Sequence, residues 1–229
     1  MTVPGRSTRE SWFREHYEDA ASQILEFLSE DGLSLKGRMV ADIGCGDGAL
    51  TLGLAHKGKP KQINAYDIRP VDKEALEQRA QAHGPSDSIP ENILFIVSEG
   101  EFIPAQSDVF DAVVSWSAFE HVAQPAALLR EIHRVLNPAT GFLFLQIWPL
   151  FYSEHGGHLW VHGNSGFDHL TTESADIHRV LEGAEGTYPG ISAQDEWRSL
   201  NRLTLDGLSR EHPPAQPVPA KADLRPPGV

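Results

Sequence analysis

The residues best suited to chemistry begin with the run Asp42-Ile43-Gly44-Cys45-Gly46-Asp47-Gly48. Glycines at this spacing let a backbone turn sharply and approach a ligand closely. Gly44-x-Gly46-x-x-Ala49, with Asp67 about 20 residues on, also fits a relaxed dinucleotide fingerprint. Two features pull away from it. Asp42 places a carboxylate ahead of the first glycine, where a pyrophosphate would be repelled, and the third glycine comes at Gly48, giving GxGxG. Histidines form a second concentration. His121 follows Glu120, and His155, His158 and His162 lie in EHGGHLWVH. Imidazole exchanges protons near neutrality, so these are candidate bases. The spacing HxxHxxxH could converge on a metal only in a helix or a folded-back chain. Gly156-Gly157 disfavours a regular helix, so no metal site is expected.

These residues must be positioned by elements that the apolar pattern outlines. Tyr17, Ala20, Ala21, Ile24, Leu25 and Leu28 recur at helical spacing and predict a helix over about 11–30. Met39–Ile43, Ile63–Tyr66, Ile93–Val97, Ala112–Trp116 and Gly141–Trp148 read as strands. Ala49–His56, Val71–His83 and a helix opened by Pro125 and stopped at Asn137-Pro138 lie between them. The strands are apolar throughout, as expected when helices cover both faces of a parallel sheet. The expected fold is a doubly wound, mostly parallel Rossmann-like α/β sheet, with ligands at the C-terminal ends of its strands.

The chain has 229 residues, 40% of them hydrophobic and 22% charged, a balance that fits a folded globular protein rather than a disordered one. It has no apolar run long enough for a membrane span and no secretory signal at its N-terminus, and Cys45 is its one cysteine. A cytoplasmic setting is expected. The net charge of −13 argues against nucleic acid and anionic membrane as partners. Six of the 16 prolines fall in residues 213–229, which have no apolar period. The expected organisation is an N-terminal helical segment (1–35), the ligand-binding core (36–150), an acceptor or lid segment with helices (151–210) and a disordered proline-rich tail (211–229).

The ordered series VADIGCGDG, AYDIRP, FIVSEGEFIP, FDAVVSWSAFEHV and LLREIHRVLNPATGFLFLQIWP resembles the class I S-adenosylmethionine-dependent methyltransferases. It is most similar to the branch with an EHV segment after strand four. The resemblance implies S-adenosyl-L-methionine as cofactor. It places Asp42, Gly44, Cys45 and Gly46 beneath the methionine part and Asp67 on the ribose hydroxyls. It also places Ile68 against the adenine, Glu99 with Gly100 near the adenine amino group, and Ser115 and Trp116 near the ammonium. Read without the resemblance, Cys45 is a small buried filler rather than a nucleophile.

Methyl transfer from a sulfonium is a direct displacement, and an acceptor hydroxyl would also need a base. His121, His155 and His158 are the candidates. Gly156-Gly157 with Trp148, Phe151, Tyr152 and Trp160 suggests an acceptor pocket or lid. The leading expectation is a methyltransferase acting at oxygen on a small-molecule or saccharide acceptor. Two alternatives stand beside it: an NAD-dependent oxidoreductase, from the relaxed fingerprint and Asp67, and a truncated, non-catalytic cofactor-binding protein. The last rests on the C-terminal pattern. Helices are expected over about 172–183 and 193–209, but no sixth or seventh strand is recognisable, as a truncation or reading-frame shift near residue 210 would leave it.

Overall fold

The computed structural model describes residues 9–84, 88–159, 162, 166–187, 190–211 and 220–223. Its sheet has the order β3-β2-β1-β4-β5-β6. The strands are β1 (Met39–Ile43), β2 (Gln62–Asp67), β3 (Ile93–Val97), β4 (Ala112–Trp116), β5 (Phe142–Gln146) and β6 (Ala220–Asp223). Every pairing is parallel. The chain runs outward from β1 to β3, then returns to lay β4 on the other side of β1. The crevice between β1 and β4 is therefore the point where ligands bind in such sheets.

Burial explains the apolar strands. Every residue of β4 and β5 is buried, as are Val40–Ile43 of β1. One face is covered by α1 (Arg9–Arg14), α2 (Ala21–Glu30), α3 (Ala49–Gly58) and α4 (Lys73–His83), with Phe13, Tyr17, Ile24, Leu52 and Leu54 at its core. α5 (Pro125–Val135) covers the other face through Leu128, Leu129, Ile132 and Val135. Proline at the start of α5 costs nothing, because the amide it lacks would have had no helical partner.

Several elements differ from the sequence expectation. The N-terminal helix is interrupted by a π-helical turn, Glu15–Ala20. Asp72 caps α4 by accepting from the Ala75 amide at 3.0 Å, so α4 starts at Lys73 rather than Val71. The helix expected over 172–183 is the shorter α7 (Ser174–Val180), preceded by a further short helix, α6 (Asp168–Thr171), and the one expected over 193–209 is two, α8 (Ala193–Ser199) and α9 (Leu205–Glu211). α8 and α9 are separated because Asn201 is tied elsewhere. Its side-chain amide donates to the Phe119 and Val122 carbonyls at 2.7 and 2.9 Å, and its backbone amide donates to the Glu120 carbonyl. Phe151, Leu159, Ile177, Leu181, Trp197 and Leu200 form a small separate core under this segment. The sixth strand lies within the stretch read as a disordered tail. It pairs Ala220–Asp223 with Leu143–Gln146, whose backbone groups on that side would otherwise be an open edge. Among the described residues no helix is long and apolar enough to cross a membrane.

Candidate functional site

A cavity of about 1010 Å³ opens at the C-terminal ends of β1, β2 and β4. Gly44 and Gly46 follow β1 and line its floor. Gly44 has φ +76°, and a Cβ there would collide with the Ala118 side chain after β4. Glycine is required on both counts. The Gly44 amide donates to the Tyr66 carbonyl at 2.8 Å, tying the loop to β2. Asp67 closes β2. One of its oxygens accepts from the Gly46 amide at 2.9 Å and the other from the Arg69 amide at 3.0 Å. Each oxygen keeps a further acceptor site for a ligand.

Ile68, Glu99, Gly100, Ser115 and Trp116 also line the cavity. Ile68 is apolar yet 68% exposed, and its Cγ2 lies 3.9 Å from where a Gly100 Cβ would be. Ser115 is buried, its hydroxyl donating to the Ile43 carbonyl at 3.0 Å, and Trp116 stacks on Phe144. Asp42 and Cys45 sit behind the loop, outside the cavity lining. Asp42 is 1% exposed and accepts from the Thr51 hydroxyl at 2.6 Å. Burial pushes its carboxyl up to about 7, the Thr51 hydrogen bond opposing and Asp67 adding. Cys45 packs in the core, where burial and nearby carboxylates push its thiol up. It therefore carries little thiolate and is poorly suited to act as a nucleophile.

The far side of the cavity is polar. Glu120 and His121 end a 3-10 turn (Phe119–His121) after β4, held from outside by Asn201. His158 enters from the segment after β5. The two imidazoles meet edge to face, with centroids 5.2 Å apart. His121 Nδ1 lies 2.7 Å from the Ser199 hydroxyl, which itself donates to the Glu196 carbonyl. The hydroxyl proton is thus committed, so His121 Nδ1 must be the donor and Nε2 keeps the lone pair. Burial and His158 push His121 down to about 4, so it is neutral at physiological pH. His158 Nδ1 lies 3.1 Å from Glu196, which is 4% exposed and also accepts from the Thr187 amide and hydroxyl. Burial alone would raise the Glu196 carboxyl, but His158 and Thr187 outweigh it and hold it below the usual range.

The sequence reading missed Glu120 and Glu196. Glu120 is 3% exposed, and neither of its carboxylate oxygens has a partner among the described residues. Burial pushes its carboxyl up to about 8, its own backbone amide opposing and Glu196 adding. A charged residue inside the otherwise apolar Ala118-Phe119-Glu120 was the available signal. The reading also missed that the N-terminal helix reaches the site: Trp12, Glu15, His16 and Asp19 line it. His155, by contrast, lies outside the lining. Tight turns at Gly156, where a Cβ would strike the Leu150 and Phe151 carbonyls, separate it from His158. Of the expected aromatic residues, Trp148 lines the cavity, Phe151 packs in the separate core and Tyr152 is exposed. Trp160 lies outside the described residues.

Residues 41–145 match the family described as "Methyltransferase domain". The chain is 37% identical over 114 residues to the Ubiquinone biosynthesis O-methyltransferase of Xanthomonas oryzae pv. oryzae, covering 49% of this chain and 44% of that protein. It is 32% identical over 121 residues to the protein of that name from Xylella fastidiosa, covering 53% and 46%. The chain thus spans less than half the length of either relative. Among solved structures, a SAM dependent methyltransferase from Aquifex aeolicus is 20% identical with a TM-score of 0.45, over 60% of this chain and 71% of that one. These matches favour the methyltransferase reading of the glycine loop over the nicotinamide one: residues 41–145 are similar to a methyltransferase domain.

Proposed function

We propose that this protein transfers a methyl group from S-adenosylmethionine to a hydroxyl oxygen of a small-molecule or saccharide acceptor. One observation carries the reading. A single cavity joins the glycine loop and Asp67 at one end to Glu120, His121 and His158 at the other. The residues present fit the cofactor. The Gly44 cradle leaves no room for a side chain, and Asp67 has acceptor sites left for two ribose hydroxyls. Ile68 offers uncovered apolar surface to a flat base beside Gly100, and Glu99 lines the same cavity. Glu15, Asp19, Asp67, Glu99 and Glu101 give the lining an excess of carboxylates, which suits a ligand carrying a sulfonium and an ammonium.

When bound, the cofactor supplies the activated methyl group. The chain's own contribution is alignment, which can supply about 7–11 kcal/mol, and removal of the acceptor's proton, worth about 10²–10⁴-fold. His158 is the proposed base. Glu196 behind its Nδ1 fixes the tautomer that leaves the Nε2 lone pair and stabilises the imidazolium that forms. His121, neutral and held by Ser199, orients the acceptor hydroxyl. Oxygen as the acceptor atom is supported by this pair and by the relatives' printed name, and a cytoplasmic setting fits the reading.

The test is calorimetry with S-adenosylmethionine, followed by transfer of labelled methyl to phenolic and saccharide acceptors. Cofactor binding should survive His158→Ala while transfer falls about 10²–10⁴-fold. No cofactor binding at about 1 mM, a concentration that would detect even a free energy as weak as about −4 kcal/mol, would overturn the reading.

A further inference from the structure

We propose that Glu120, His121 and His158 form a binding site for a divalent transition-metal ion of the zinc type at the acceptor end of the cavity. One ligand atom from each lies within 4.8 Å of those of the other two. The donor set, two imidazoles and one carboxylate, is one that zinc takes in catalytic sites, where three protein ligands leave a position open. Sequence spacing does not point here. HxxHxxxH runs through His155, which lies outside the cavity lining, whereas the structure pairs His158 with a histidine 37 positions earlier in the chain.

Two independent features support the site. The first is the Glu120 carboxylate, 97% buried by its 3% exposure, lining the cavity with neither oxygen paired among the described residues. A buried carboxylate without a partner is costly, and a bound cation would supply the missing charge. The second is the support behind both rings. His158 directs Nδ1 at the Glu196 carboxylate and His121 directs Nδ1 at the Ser199 hydroxyl. Metal-ligating histidines are held in this way, one ring nitrogen donating to a carboxylate or oxygen and the other presenting its lone pair. Glu196 is fixed in turn by Thr187, and the Glu120–His121 turn by Asn201.

The inference rests on reading this end of the cavity as the acceptor site, and it changes how the acceptor loses its proton. A hydroxyl oxygen bound at the open position would ionise at lower pH, its O–H bond breaking and its proton passing to water. The ion would then take the place of His158 acting as base.

The experiment is zinc titration by calorimetry on the full chain after treatment with a chelator, with S-adenosylmethionine titrated in parallel. One zinc per chain is expected. Glu120→Gln and His121→Ala should each weaken zinc at least about 30-fold, and Glu196→Gln about 10–100-fold, as loss of a partner behind a ligand does. His155→Ala should leave zinc affinity unchanged. Glu120→Gln keeps shape and replaces a buried, unpaired carboxyl group, so it is expected to fold. Cobalt in place of zinc should give visible absorption bands that this variant loses. The proposal is overturned if chelator-treated protein binds S-adenosylmethionine but no zinc. It is also overturned if Glu120→Gln binds zinc as the parent does, or if His155→Ala is the variant that loses it. Zinc binding without cofactor binding would instead overturn the methyltransferase reading and leave the ion site standing.

Discussion

Asp67 and Glu120 are carboxylates lining one cavity, in opposite surroundings. Asp67 has both oxygens on backbone amides of nearby loops, whereas Glu120 is buried with neither oxygen paired among the described residues. The cofactor end is built largely from backbone at the tips of β1 and β2, so it is complete once the sheet forms. The acceptor end is built from side chains on separate segments, the turn at 119–121, His158, Thr187 and α8, and it depends on all of them docking together. A backbone-satisfied carboxylate marks a site finished by the fold. An orphaned one marks a site that something else completes.

That contrast can be broken by mutation. The largest effect is expected from Glu196→Ala, which strands the His158 ring and two Thr187 donors. It should lower stability by about 3 kcal/mol in denaturant titrations, while the folded fraction keeps its affinity for S-adenosylmethionine. Loss of cofactor affinity as well would mean that the two ends are not separately built. Gly44→Ala attacks the other end, through its φ of +76° and the collision with Ala118. It should cost about 2 kcal/mol of stability and weaken the cofactor at least tenfold, roughly, by calorimetry. Asp67→Asn keeps one acceptor oxygen and turns an NH₂ toward an amide. Cofactor affinity should fall about tenfold, or ~1.4 kcal/mol, with little change in thermal midpoint.

The last expected effect concerns pH. The Glu120 carboxyl rises from its usual 4.5 to about 8 on folding, so between these values the folded chain holds a proton that the unfolded chain has released. Its contribution to stability therefore falls as pH rises through that window. Glu120→Gln should be indistinguishable from the parent near pH 4 and should gain on it in urea titrations as pH rises toward 8.5. Asp42→Asn should show the same sign over 3.8 to about 7, but less of it, because Asp42 has the Thr51 hydroxyl.

The glycine-loop end of the cavity was legible because its parts are consecutive. Gly44-x-Gly46 and Asp67 follow strands whose unbroken apolar runs announce a parallel sheet, so their place in space follows from their place in sequence. Asp42 and Cys45 share that local motif but turn inward, because every residue from Val40 to Ile43 is buried and Cys45 packs beneath the loop. The histidine end, proposed for the acceptor, was legible only in part. Glu120 was read as the neighbour of His121, since nothing local shows that its carboxylate is buried. Glu196 looked like any acidic residue on a short helix, and its pairing with His158 spans 38 residues. The spacing of His155, His158 and His162 suggested an alternative grouping, and the fold-back at Gly156 separates the first from the cavity. The β6 pairing was invisible because so short an edge strand carries little pattern of its own.

The π-helical turn at Glu15–Ala20 gives the N-terminal segment an unusual kind of sensitivity. A π turn accommodates one residue more than an α turn, and here it lies directly between Trp12 and the α2 face packed on the core. Closing it into regular α-helix with every residue kept would wind in that extra residue. Everything upstream would then rotate by about 100°, the angle between successive residues at 3.6 per turn. Trp12 would swing off the cavity with its own identity unchanged. Along this stretch the winding of one turn, as much as the identity of Trp12, sets which side chains roof the cavity.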